Sequence, residues 1–214
     1  MTRWAPQKKD VLASLAEEIL HNYGRGRTIV AVDGIDVAGT GEFADDLAEA
    51  MRLKGHTVFR ASIEGFHRPR ALRYARGRDS PEGFYRDSYD YRTFKRTLVE
   101  PFRMGGSTSF VAAAFDVRRD AQVEPVWLSG PADAVLIVDG NFLNRPELRG
   151  LWNYSVWLEV DSAIAAERMR ERDGESEAGE RYATGQAIYI AEARPADVSS
   201  VIVDNNDFES PFIV

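Results

Sequence analysis

A glycine-punctuated segment carries the clearest chemistry in the sequence: Ile29-Val30-Ala31-Val32-Asp33-Gly34-Ile35-Asp36-Val37-Ala38-Gly39-Thr40-Gly41. An apolar run leads into a turn and then into the start of a helix. The pattern Gly, four residues, Gly, Lys, Ser/Thr folds into a loop whose backbone N–H groups cradle phosphate. Gly34 and Gly39 hold its two glycine places, with Asp36, Val37 and Ala38 inside the turn. The lysine place is Thr40 and the hydroxyl place is Gly41. Amides at a helix N-terminus attract an anion without any side chain. The lysine contact, a charge-assisted bond worth roughly 1.5–3 kcal/mol, is absent, as is the hydroxyl that would sit on Mg²⁺. Glu42 adds negative charge in the first helical turn.

Other groups fall at the ends of apolar runs. Asp139 follows Ala134-Val135-Leu136-Ile137-Val138. At the carboxyl end of a strand it is a candidate Mg²⁺ ligand, or an acid that caps the next segment. Glu64 ends another run, placed to take a proton from a substrate hydroxyl or to pair with nearby arginines. Asp90 and Asp116 sit in aromatic settings, Tyr89-Asp90-Tyr91 and Phe115-Asp116, suited to a base and a ribose or to packing beside a turn acid. Arg168 and Arg172 share one helix face, where they either carry charge to a phosphoryl group or pair with Glu167, Glu171 and Asp173. From Arg60 to Arg78 the arginines 60, 68, 70, 73, 76 and 78 face the single acid Glu64. That is a solvated basic face or a pocket edge for anions. His21, His56 and His67 lack metal-ligand spacing and receive no role.

The elements that must position these groups follow from periodicity. Val11, Leu12, Leu15, Ala16, Ile19 and Leu20 predict a helix ended by Gly24 and Gly26. Strands are predicted at Thr28–Val32, Thr57–Ile63, Ser109–Ala114, Ala134–Val138, Tyr154–Val160 and Val198–Val203. Helices are predicted after Gly41, over Tyr89–Val99 with Pro101 as the stop, over Ser162–Arg172 and over Gln186–Ala193. His67–Glu82 reads as a long functional loop or broken helix. Gly174–Gly179 is acidic and has the composition of a mobile lid, roughly 162–185. Continuous apolar strands alternating with helices imply a parallel sheet covered on both faces.

The 214 residues suit one domain, 1–214, with no repeat or internal boundary. With no cysteine, disulfides and thiolate metal sites are excluded. The net charge of -7 argues against nucleic acid as a partner. No run is long enough to span a bilayer, and the start lacks the apolar run of a signal peptide. The expectation is a soluble cytoplasmic protein with a small-molecule partner, no nucleic acid and no membrane. Its oligomeric state is left open.

Taken together, these segments resemble the uridine kinase and phosphoribulokinase group of P-loop kinases, especially the short actinobacterial uridine kinase-like proteins. The resemblance is carried by residues 29–34, 61–70, 80–90, 113–116, 138–143 and 145–149. It implies a three-layer α/β/α P-loop NTPase fold of the nucleoside and nucleotide kinase kind, with a central parallel sheet. It also implies transfer of the ATP γ-phosphoryl group, with Mg²⁺, to the hydroxyl of a nucleoside-like compound. Glu64 falls where the family has an aspartate base, and Asp90 near a ribose-binding aspartate. Phe115-Asp116 falls where a Tyr-Asp pair faces the nucleoside. Asp139 matches the acid ending the Walker B strand, and Arg168 and Arg172 fall in the lid. The departures are Thr40, Gly41 and Glu64. Three functions therefore stand side by side: a uridine kinase-like phosphotransferase, a non-catalytic binding protein on the same scaffold, or a kinase acting on another small hydroxyl compound.

Overall fold

A computed structural model describes residues 7–106, 108–173 and 178–214. Its centre is β1 (Thr28–Gly34), buried along its whole length. The other strands of the main sheet are β2 (Val58–Ser62), β3 (Val135–Gly140), β4 (Tyr154–Glu159), β5 (Val201–Asp204) and β6 (Phe212–Ile213). Their order is β6-β5-β4-β1-β3-β2. All neighbours are parallel except β6, which runs antiparallel to β5. The register sets Asp33 opposite Gly140 on one side and Trp157 on the other. The strand ends that carry Gly34, Ser62 and Asp139 therefore converge at one edge, where open parallel sheets bind ligands.

Alternation along β1 divides the core into two layers. Val30 and Val32 pack with α1 (Lys8–Tyr23) and α2 (Thr40–Leu53), through Leu15, Ile19, Phe43, Leu47 and Met51. Ile29 and Ala31 face the opposite layer, which holds Phe66, Phe94, Phe142 and Tyr189. Helices thus cover both faces of a mainly parallel sheet, as the apolar runs predict. Among the described residues no helix is long and apolar enough to cross a membrane.

Several expected boundaries move, each for a tertiary reason. β1 runs on to Gly34 because Asp33 and Gly34 still have partners on β3 and β4. Pro101 does not stop its helix. Helical residues 91–94 continue through a π turn, Lys95–Val99, and then Glu100–Met104. A proline ring clashes with the carbonyl four residues back, and the wider turn gives it room. The last long helix starts at Ala178 rather than Gln186, and Gly185 lets it press on Phe84 of α3 (Pro81–Asp87). We number α4 as Ser162–Asp173 and α5 as Ala178–Ala193. The expected strand at 198–203 is β5, Val201–Asp204, preceded by a helical turn at Pro195–Val198. Residues 174–177 of the expected lid lie outside the described residues. Of the loop or broken helix expected at 67–82, one turn at Arg70–Arg73 is helical before α3 begins at Pro81.

Asp33 ties β1 to the Phe142 and Tyr189 layer at the loop's base. Its carboxylate accepts the amides of Leu143 (3.3 Å) and Asn144 (3.0 Å), the Asn144 side-chain amide (2.8 Å) and the Tyr189 hydroxyl. Complete burial outweighs these bonds and pushes its pKa up to about 6. The folded protein therefore holds this proton more tightly than the unfolded chain does. The stability this confers is full below about pH 4 and is lost as pH rises through 6, a swing of about 3 kcal/mol. Denaturant titrations of wild type and Asp33→Asn across pH 4–7 should show the wild type losing ground to the variant as pH rises. A gap that stays constant or widens contradicts the assignment.

Candidate functional site

The glycine segment folds into a tight turn between β1 and α2. The Ala38 amide donates to the Ile35 carbonyl at 2.8 Å, and Phe43 donates to Gly39 at 3.0 Å. Gly39 has φ 78°, a left-handed conformation that suits glycine. A Cβ on Gly34 would lie 2.7 Å from the Ala38 Cβ, so only glycine lets the turn close this tightly. The amides of Thr40, Gly41 and Glu42, in the first turn of α2, have no intrahelical acceptor. Backbone N–H groups left open in this way are of the kind that can take an anion. The Asp36 amide is not one of them, because it donates to Gln186 Oε1 at 2.8 Å. Glu42 turns its charge to Lys8 on α1, 3.5 Å away.

Groups from the far end of the chain brace the loop. Asn205 donates to the Ala38 carbonyl at 2.7 Å. Arg168 donates to the carbonyls of Val37 (3.3 Å), Asn205 (3.1 Å) and Asn206 (2.8 Å). Its guanidinium also lies 3.8 Å from the centre of the Phe208 ring. That ring packs on Gly39, where a Cβ would come within 2.7 Å of it. Arg172 pairs with the Asp36 carboxylate at 2.7 Å.

The floor beneath Gly41 is decided by Arg60. Its guanidinium donates to Asp45 (2.8 Å) and to the carbonyls of Ile137 (3.2 Å) and Gly41 (3.1 Å), and it pairs with the Asp139 carboxylate at 2.9 Å. Asp139 is buried, which pushes its pKa up, and Arg60 opposes that rise. A Cβ at Gly41 would sit 3.7 Å from Asp139 Oδ2, so the expected hydroxyl place and the expected metal acid do adjoin. A magnesium ion at this point would need Asp139, a hydroxyl and several waters. Here the hydroxyl is missing and the acid already faces a fixed cation. No cluster of three acids or histidines stands in for them among the described residues. The residues in this arrangement do not fit the ion.

Beside the loop opens a cavity of about 510 Å³, lined by Asp36, Asn141, Glu64, Arg73, Arg172 and Arg181 among others. Ser62 caps the short 3₁₀ turn Ile63–Phe66 that carries Glu64. The Glu64 carboxylate accepts the Tyr89 hydroxyl at 2.5 Å and lies 3.6 Å from His67 Nδ1. Burial, and then the charge of Glu64, push the Tyr89 pKa well above its usual value, so Tyr89 remains a donor. Glu64 is thereby aimed into the cavity that the loop borders.

The other predicted residues divide. Asp90 accepts the Thr93 amide (3.0 Å) and hydroxyl (2.7 Å) as the cap of a short helix. Burial works against its charge, but these bonds prevail and lower its pKa. It lines a second cavity of about 340 Å³ together with Phe115 and His67. Asp116 accepts the amides of Arg118 (2.9 Å) and Arg119 (3.1 Å) in a turn and lines neither cavity. The arginine run also splits: Arg68 and Arg76 pair with Asp87, whereas Arg73 reaches the first cavity. Sequence reasoning missed the special place of Arg60, although a charge inside Val58-Phe59-Arg60-Ala61-Ser62 is a visible anomaly for a covered strand. It also missed Asn205, Phe208, Arg181 and His67, none of which has a recognisable spacing.

No family model matches the chain, and no curated protein matches it. Solved structures do. A possible uridine kinase from Bacillus stearothermophilus superposes with a TM-score of 0.73 at 20% identity, over 91% of this chain and 97% of that one. A protein provisionally named as a fructose transport system kinase, from Silicibacter sp. TM1040, gives 0.66 at 26%, over 88% and 94%. D-glycerate 3-kinase from Cryptococcus neoformans var. grubii gives 0.61 at 10%, over 94% and 97%. The fold is that of the P-loop kinases. These likenesses show the fold and name no acceptor for this chain.

Removing one partner of a buried ion pair costs about 3–5 kcal/mol, because a charge is left stranded. Arg60→Met should lose stability on that scale in urea titrations, and adding Asp139→Asn should restore a good part of it. Additive losses in the double variant would mean that the pair does not carry the floor.

Proposed function

We propose that the protein is a small-molecule phosphotransferase of the uridine kinase kind, moving the ATP γ-phosphoryl group to the hydroxyl of a small compound. The observation that carries this reading is the shared cavity. Loop residue Asp36, the Glu64 carboxylate and Arg172 of α4 all line it. A hydroxyl bound there faces both a proton acceptor and the loop. Glu64, held by Tyr89, takes the hydroxyl proton. The α2 amides take the phosphates. Arg172, beside Asp36, supplies positive charge near the transferred group in place of the loop lysine. Loss of one such donor costs on the order of a hundredfold to a thousandfold in rate, so turnover is slow.

A second reading is favoured by one contact, the pairing of Arg60 with Asp139. With that acid engaged, the chain binds its small molecule without transferring phosphate. Calorimetry separates the readings. ATP should bind weakly to the wild type and more tightly, by about tenfold or more, to a Thr40→Lys, Gly41→Thr double variant. Slow transfer that vanishes in Glu64→Gln supports the kinase. Equal, tight binding of ATP by both proteins contradicts the degenerate loop, and transfer that survives Glu64→Gln removes Glu64 as the base.

A further inference from the structure

We infer that the acceptor cavity takes an anionic compound, one bearing a carboxylate or phosphate in addition to its hydroxyl, rather than a neutral nucleoside. The inference deepens the reading of this cavity as the acceptor site.

Three arginines, Arg73, Arg172 and Arg181, and two acids, Asp36 and Glu64, line the cavity, and one of these arginines has no acid beside it among the described residues. Asp36 is matched by Arg172 at 2.7 Å. Glu64 is held by the Tyr89 hydroxyl. Arg73 donates through Nε to the Arg68 carbonyl at 2.8 Å and lies 3.5 Å from Asp120. Arg181 has no carboxylate partner among the described residues. Its Nε reaches the Ser80 carbonyl at 3.4 Å, and its guanidinium lies 5.3 Å from the ring centres of Tyr74, Phe84 and Tyr182. The aromatic walls hold the plane of the guanidinium by cation–π contact. Its terminal nitrogens donate to no protein acceptor among the described residues. A guanidinium fixed in this way matches the two oxygens of a carboxylate or phosphate. Its rigidity also reduces the entropy lost on binding.

The size agrees. About 510 Å³ is ample for a phosphorylated sugar or a hydroxy acid. The anionic end would lie on Arg181, with Arg73 also in contact with the Tyr74 ring, and the hydroxyl would point to Glu64.

Matched pairs of probes test this on the full chain with no nucleotide present, so the outcome does not depend on phosphoryl transfer. The pairs are ribose 5-phosphate against ribose, and glycerate against glycerol, with uridine as the neutral nucleoside. Calorimetry should show at least one anionic member binding about tenfold or more tighter than its neutral partner. The preference should weaken with added salt. Arg181→Met keeps the stem packed on the rings and should erase most of the preference, and Arg181→Lys should restore part of it. Preferential binding of uridine, no binding of either anion at millimolar concentration, or an unchanged preference in a folded Arg181→Met protein would each overturn the inference. Absence of transfer with intact anion binding would instead count against the kinase reading alone.

Discussion

A single guanidinium sets the character of the loop. Arg60 rises from the middle of β2 and joins α2, β3 and the first turn after Gly39 through Asp45, Gly41, Ile137 and Asp139. A buried carboxylate such as Asp139 must be neutralised or hydrogen-bonded. In a phosphate loop of the usual composition, the lysine and the metal supply positive charge there. This chain lacks both the lysine and the hydroxyl, and its own arginine supplies the charge. The cation is permanent and covalently held, so Asp139 keeps its burial without any ligand.

The rest of the site follows from that constraint. Around the loop the chain satisfies its own groups: Gln186 takes the Asp36 amide, Asn205 and Arg168 take loop carbonyls, and Phe208 covers Gly39. The first α2 amides remain without an intrahelical acceptor. The neighbouring cavity is the reverse: it is lined by the Glu64 carboxylate and by Arg181, a guanidinium with no carboxylate partner among the described residues.

The centre of the sheet was legible in the sequence because β1, β3 and β4 are mainly apolar runs, the pattern of strands covered on both faces; its antiparallel edge β6 was not, and of the strand expected at 109–114 only Phe110–Val111 forms, paired outside this sheet. The turn was legible because Gly34 and Gly39 serve backbone geometry that tolerates no side chain. The floor was not legible. Arg60 and Asp139 lie on neighbouring strands but far apart in the chain, and Arg60 reads as one more member of a basic run. For Asp90 the sequence left a ligand and a turn acid both open; the carboxylate caps the short helix through Thr93 and also lines the second cavity. Arg181 had no pattern at all, since its aromatic walls come from separate segments of the chain.

Manganese titration, followed by electron paramagnetic resonance without nucleotide, tests the built-in cation most directly. Wild-type protein should hold no manganese at Asp139, and an Arg60→Met, Gly41→Ser double variant should gain a site that Asp139→Asn abolishes. Stoichiometric binding by the wild type, lost on Asp139→Asn, would contradict the closed floor.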